Sequence, residues 1–181
     1  MISCIISTTN IILTKGMTKM NTRQYDVIVV GGGFTGCAAA LAASRNGMKV
    51  LLADSSGYLG GAASNNLIYP FMQYFTSVPE SDGTRSKFYL SRGIFLELVR
   101  ELKENDSDKS DQHFLDEELK LLLDRKMTDE GVDVLFHATL CGVNKSGNHI
   151  ESVSFVTKSG VMEFSAKAFI DCTGDADLCF M

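Results

Sequence analysis

The sequence predicts an α/β fold in which a parallel sheet leads into an antiparallel β-meander. Three observations predict it. Residues 25–54, YDVIVVGGGFTGCAAALAASRNGMKVLLAD, place an apolar run, a glycine turn, a helical stretch and a second apolar run ending in an acid within one βαβ-sized window. Residues 114–136 repeat the helix-then-strand pattern. After them, short strand-like runs are separated by KSGN and KSG, which read as hairpin turns.

The elements follow in chain order. Residues 27–30, VIVV, form a continuous β-branched run, as expected of a parallel strand buried on both faces. Gly31, Gly33 and Gly36 then supply G-x-G-x-x-G. In a dinucleotide cradle the first glycine permits the tight turn, the second lets backbone approach a pyrophosphate, and the third allows close packing of helix on strand. A helix opening near Phe34 and Thr35 aims its unpaired N–H groups and positive dipole end at that pyrophosphate, so no cationic side chain is required. Ala40 and Ser44 follow Gly36 at i+4 spacing as a small-residue stripe facing the sheet, and Gly47 ends the helix. Residues 49–53 make the second strand. Asp54 closes it at the distance where an acid accepts ribose hydroxyls and disfavours a 2′-phosphate. The cradle alone does not separate NAD from FAD.

Beyond Asp54, Gly57, Gly60 and Gly61 make a flexible loop at the C-terminal edge of the sheet, where open α/β folds bind ligands. TSVPESDGTRS reads as a loop, residues 94–103 as a helix and ENDSDKSD as a polar linker, so this stretch looks inserted. Residues 114–130 read as an amphipathic helix with Leu115, Leu119, Leu122 and Leu123 on one side, ended by Gly131. Residues 132–136 are a third parallel strand, and 139–144, 150–157 and 161–165 form the meander. Residues 168–171 return as a buried strand that runs into CTGDAD. A plain NAD-binding half would alternate strand and helix, so the meander argues against an NAD-dependent dehydrogenase, the remaining alternative on cradle grounds.

Composition bounds the partners. At 181 residues with 45% hydrophobic content, the chain can bury one substantial core. A net charge of −5 without a basic run argues against nucleic acid or an anionic membrane surface. No apolar stretch reaches the roughly 18 residues of a spanning helix. Cys4, Cys37, Cys141, Cys172 and Cys179 form no C-x-x-C pair and no zinc spacing, so they read as buried or tail residues in a reduced cytoplasm, and no metal site is expected. His113, His137 and His149 have no patterned partners: the first heads a helix, the second lies between strands and the third sits in a turn. Residues 1–24 read as a disordered extension. They lack the charged n-region of a signal peptide, and Met17 and Met20 just before the cradle are the expected translation starts.

Taken together, VIVVGGGFTGCAAALAASRNGMKVLLAD, GYLGGAASNN, GVDVLFHATLCGV and AFIDCTGDADL resemble the FAD-dependent oxidoreductases with a glutathione-reductase-type FAD-binding domain. The resemblance covers most of residues 25–178, only loosely over 71–112. It implies a three-layer ββα FAD/NAD(P)-binding Rossmann-like domain over residues 25–181, with 71–112 as an insertion or the start of a substrate or cap region. FAD is the implied cofactor. Gly31, Gly33 and Gly36, with Phe34 and Thr35, would hold its pyrophosphate, and Asp54 its adenosine ribose. Gly60, Gly61 and Ser64 would lie along the pyrophosphate and flavin side, Thr139 and Leu140 would face adenine, and Thr173 and Gly174 would approach through an Ala-Thr-Gly-type turn in which Cys172 replaces alanine. Asp175 would be a helix N-cap or a ligand contact.

Two departures stand out. Many relatives place an arginine shortly before the paired glycines, where this chain has Gly57, Tyr58 and Leu59, and no cysteine pair follows Gly60 and Gly61 to form a redox disulfide. The implied reaction is hydride transfer from a small organic substrate to FAD. No residue qualifies as catalytic acid or base, and the chain ends at Met181, just past the Thr-Gly turn. The expectation is therefore an N-terminal portion of a longer flavoprotein, completed by a missing C-terminal region or a partner subunit. An inactive FAD-binding remnant is the alternative.

Overall fold

The computed structural model describes residues 24–68, 70–105 and 113–181. The extension with Cys4, Met17 and Met20, and most of ENDSDKSD, lie outside the described residues. The main sheet has the strand order β5-β2-β1-β8-β7-β6. These strands are β1 (Gln24–Val30), β2 (Val50–Ala53), β5 (Asp133–Leu135), β6 (Thr139–Ser146), β7 (His149–Thr157) and β8 (Gly160–Asp171). Strand β1 pairs in parallel with β2 and β8, and β2 in parallel with β5, whereas β7 pairs antiparallel with both β6 and β8.

Alternation along β1 divides two cores. Val27 and Val29 join Leu41, Leu98, Leu119, Leu123 and Met127 from helices α1 (Phe34–Arg45), α3 (Ile94–Asn105) and α4 (Asp116–Asp129). Ile28 and Val30 join Val153, Phe155 and Phe164 from the meander. A strand with apolar side chains on both faces is what such a three-layer arrangement requires, and Ile28 and Val29 are each fully buried. The α/β class and the three layers follow the sequence expectation. A short α2 (Ala62–Asn65) and a terminal α5 (Asp177–Phe180) complete the helices.

Five local expectations are corrected. Residues 161–165 and 168–171 are not two strands but one, β8, whose first half pairs antiparallel with β7 and whose second half pairs in parallel with β1. Its mid-strand Lys167 is exposed and pairs with Asp26 at 2.6 Å, so a polar residue there marks solvent rather than a break. The expected loop TSVPESDGTRS is a hairpin of β3 (Phe75–Pro79) and β4 (Arg85–Tyr89), registered Phe75 against Tyr89 and Pro79 against Arg85. Its side chains are mostly exposed, which removes the buried alternation that announces a strand, and its turn is held by Asp82, which accepts from the Thr84 amide at 2.9 Å and hydroxyl at 2.6 Å. Leu115 is 61% exposed because α4 starts one residue later, leaving Leu115 extended and off the buried stripe. Finally, Cys141 is exposed within β6, and His149 opens β7 rather than lying in the turn.

The helical layer is tied by charge. Arg45 of α1 grips Glu97 of α3 with both guanidinium nitrogens at 2.7 and 2.8 Å and reaches Glu130 at 2.9 Å, while Lys126 of α4 pairs with Glu97 at 2.9 Å and Glu101 at 2.5 Å. The Arg45 fork, helped by Lys126 and opposed by partial burial, holds the Glu97 carboxyl at about 2 against an ordinary 4.5. A carboxylate with a lowered folded pKa stabilises the fold above its unfolded pKa and loses that contribution as pH falls toward the folded one. Glu97→Gln is therefore expected to lower stability near neutral pH by about 1 kcal/mol, a figure reduced for solvent screening. In thermal melts the gap from the parent chain should be full above pH 4.5 and close as pH falls toward 2. A gap that stays constant over that range would remove Glu97 ionisation from the account.

Candidate cofactor-binding site

The C-terminal ends of β1, β2 and β8 bring Gly31, Asp54 and Cys172 together. The Gly31 amide donates to the Ala53 carbonyl and the Cys172 amide to the Val30 carbonyl, each at 2.8 Å. Gly31 has φ +103°, and a Cβ there would lie 2.2 Å from the Cys172 carbonyl oxygen. A Cβ on Gly36 would lie 1.8 Å from the Gly31 carbonyl oxygen, so the third glycine is what lets α1 sit against the turn. Gly33 differs. Its backbone is extended, with φ −68°, and a Cβ there would meet nothing closer than the Gly61 Cα at 3.9 Å.

The space beside Gly33 belongs to a cavity of about 690 Å³. Gly31, Gly33, Phe34, Thr35, Asp54, Gly60, Gly61, Thr173 and Gly174 line it, which brings most of the sequence-expected residues into one wall. Asp54 is the carboxylate of that wall, and no Lys, Arg or His is among its described lining residues. Helix α1 begins at this wall without a side-chain cap and without an acid in its first turn. The first N–H groups of a helix have no intrahelical acceptor, so those of Phe34, Thr35 and Gly36 are available to an anion without a competing carboxylate.

Asp54 has a second task. Its Oδ2 accepts from the Gly32 amide at 2.5 Å and its Oδ1 from the Ser56 amide at 2.7 Å, so it ties the glycine turn to the loop after β2. A carboxylate retains further lone pairs for hydroxyl donors. The paired-glycine loop lies directly on the turn: the Gly60 amide donates to the Gly32 carbonyl at 2.9 Å, and a Cβ on Gly61 would lie 2.8 Å from the Gly33 Cα. Gly57, near where the resemblance would place an arginine, is pressed against His137, whose ring would lie 2.9 Å from a Cβ.

Gly36, Ser64, Thr139 and Leu140 are not in this wall. Ser64 is buried and its hydroxyl donates to the Leu59 carbonyl at 2.7 Å, holding the loop from within. Thr139 and Leu140 open β6 beside the Asp54 loop, where the Ala138 amide donates to the Asp54 carbonyl and the His137 amide to the Ser56 carbonyl, both at 2.9 Å. Asp175 does not cap α5; Ala176 occupies the N-cap with φ 62°, and the Asp177 amide donates to the Thr173 hydroxyl at 2.9 Å.

Several contributors escaped the sequence reading. Gly32 is buried, and a Cβ there would lie 3.0 Å from Asp54 Oδ2 and 2.6 Å from Leu59 Cδ2. Phe71 and Phe95 come from the stretch read as inserted and, with Ile68, Pro70 and Met72, give the cavity an apolar wall. Their rings pack edge-on at 5.5 Å, and Phe34 meets Phe71 at 5.4 Å. Asp171 was legible as an acid two residues before a threonine, the spacing of an Asx turn. Burial pushes its carboxyl up, but the Thr173 and Cys179 amides and the Thr173 hydroxyl outweigh it and hold it at about 2. Cys37 lies under the glycine turn, where burial pushes its thiol up to about 12 and leaves it inert. Among the described residues no cluster of metal-ligating side chains is present, and no helix is long and apolar enough to cross a membrane.

Comparison with known proteins bears on the family and the fold. The sequence model of one family, FAD dependent oxidoreductase, matches residues 26–181. The mitochondrial glycerol-3-phosphate dehydrogenase of Rattus norvegicus is 38% identical over 60 residues, covering 32% of this chain and 8% of that protein. The aerobic glycerol-3-phosphate dehydrogenase of Bacillus subtilis is 35% identical over 60 residues, covering 32% of this chain and 11% of that protein. The match thus spans about a tenth of these relatives' length. Among solved structures, the 3-ketosteroid-delta4-(5alpha)-dehydrogenase of Rhodococcus jostii superposes with a TM-score of 0.57 at 11% identity, covering 86% of this chain and 46% of that one. At that identity the likeness speaks for the fold.

Proposed function

Because the chain belongs to the FAD-dependent oxidoreductase family, we propose that its cradle holds the adenosine-diphosphate half of FAD and so serves hydride transfer from an organic substrate. The observation that carries this reading is Gly33. Protein packing explains Gly31 and Gly36, but nothing in the protein demands a glycine at 33, where the open space is the cavity itself. A ligand lying against the backbone supplies the missing reason.

In this reading the amides of Phe34, Thr35 and Gly36 receive the pyrophosphate, and Asp54 accepts from the adenosine ribose while keeping its bonds to Gly32 and Ser56. Thr173 and Gly174 border the same groups from the end of β8. The wall of Ile68, Phe71, Met72 and Phe95 offers apolar surface to a flat ring. Bound FAD supplies the hydride acceptor, while the protein positions it and sets its surroundings. The residues described here thus do the work of binding and orientation. Part of a longer flavoprotein is the role that the short match to the relatives favours, with the chemistry completed elsewhere.

Competition between cofactors tests the reading. FAD is expected to bind and raise the melting temperature, FMN, which lacks the adenosine half, to bind at least about tenfold more weakly, and NADH not to displace FAD. Binding of NADH without flavin would instead favour a dehydrogenase of the nicotinamide type.

A further inference from the structure

Residues Cys172 and Gly174 border two cavities. They line the large one described above and also a smaller one of about 320 Å³. Thr35 borders both, whereas Asp171, Ala176 and Cys179 line only the smaller. Asp171 therefore sits next to the shared residues without lining the large cavity itself.

We propose, resting on the FAD reading above, that Asp171 is a positioning residue: its carboxylate fixes the Thr173 and Gly174 backbone where that backbone meets the pyrophosphate. Asp171 is the last residue of β8 and is registered against Val30, so its backbone is set by the sheet immediately before the glycine turn. From there its Oδ1 accepts from the Thr173 amide at 3.0 Å and the Thr173 hydroxyl at 2.8 Å, and its Oδ2 accepts from the Cys179 amide at 2.8 Å. The Thr173 hydroxyl in turn accepts from the Asp177 amide at 2.9 Å. One carboxylate thus locks both sides of a turn that contains Gly174 at φ +91° and Ala176 at φ 62°. Such a segment would otherwise sample other conformations and lose the order that close approach to an anion requires. An amide cannot replace the carboxylate, because its NH₂ would face a backbone or hydroxyl donor.

The test is Asp171→Asn, read by equilibrium binding of FAD and of AMP together with thermal melting. AMP reports the Asp54 side of the site, and FAD adds the pyrophosphate that the turn borders. The expected result is a folded variant whose FAD dissociation constant rises about tenfold or more while that for AMP stays within about twofold. Unchanged FAD affinity in the folded variant overturns the proposal, as does an equal loss of FAD and AMP, which would mark a purely structural role. If Asp171→Asn does not fold, Thr173→Val removes the hydroxyl and with it both the bond to Asp171 and the acceptor of the Asp177 amide, and the same selective loss of FAD is expected; unchanged FAD affinity there overturns the proposal too. A parent chain that binds neither ligand defeats the FAD reading itself, a failure visible before any variant is made.

Discussion

Gly33→Ala is expected to leave the domain folded but deprive it of FAD, whereas Gly36→Ala is expected to damage the fold itself. At Gly33 the backbone is in a region open to any residue and a Cβ has 3.9 Å of clearance, so stability should change by no more than about 0.5 kcal/mol. The added methyl would enter the cavity where the pyrophosphate is placed, and FAD affinity should fall about 100-fold or more. At Gly36 a Cβ would lie 1.8 Å from the Gly31 carbonyl oxygen, contact with backbone that cannot rotate away. Forcing α1 off the turn should cost at least about 3 kcal/mol. Thermal melts and FAD fluorescence titrations on the two variants separate these outcomes. Equal destabilisation by both would mean that Gly33 is glycine for packing reasons and would withdraw the main support for a ligand there.

Phe155→Ala should destabilise the domain by about 3–5 kcal/mol, a large share of the 5–15 kcal/mol typical of a folded domain. Phe155 is fully buried between the parallel sheet and the meander and meets Phe164 edge-on at 6.1 Å. Its removal leaves a void in the core layer that β7 and β8 close. Val156, the next residue, is 48% exposed, and Val156→Ala should change stability by less than about 0.5 kcal/mol. Urea denaturation of both variants reads the difference. A loss below about 1 kcal/mol at Phe155 would mean that the meander is not a structural layer.

The parts of this fold visible in the sequence were those in which one physical demand fixes a local pattern. Burial on both faces makes VIVV uniform, and close approach makes Gly31 and Gly36 small. The parts that escaped lack such a demand. The β3–β4 hairpin is exposed and is held by cross-strand pairing, by Asp82 and by cations over aromatic rings, such as Lys87 over Phe75 at 4.8 Å, none of which leaves a periodic trace. Lys167 looked like an interruption in β8 because its partner Asp26 lies more than a hundred residues earlier in the chain. In the site, Asp54 was legible by spacing, but its bonds to Gly32 and Ser56 depend on how the loop folds back. Phe71 and Phe95 reach the cavity through tertiary packing of a stretch that had no recognisable motif.

The most direct test of the central claim is the visible absorption spectrum of the purified chain after incubation with FAD and removal of unbound flavin by desalting. The account predicts a yellow protein with equimolar flavin in the parent chain, and a colourless one for Gly33→Ala at unchanged melting temperature. A parent chain that releases all flavin on desalting and whose melting temperature does not respond to FAD would contradict it.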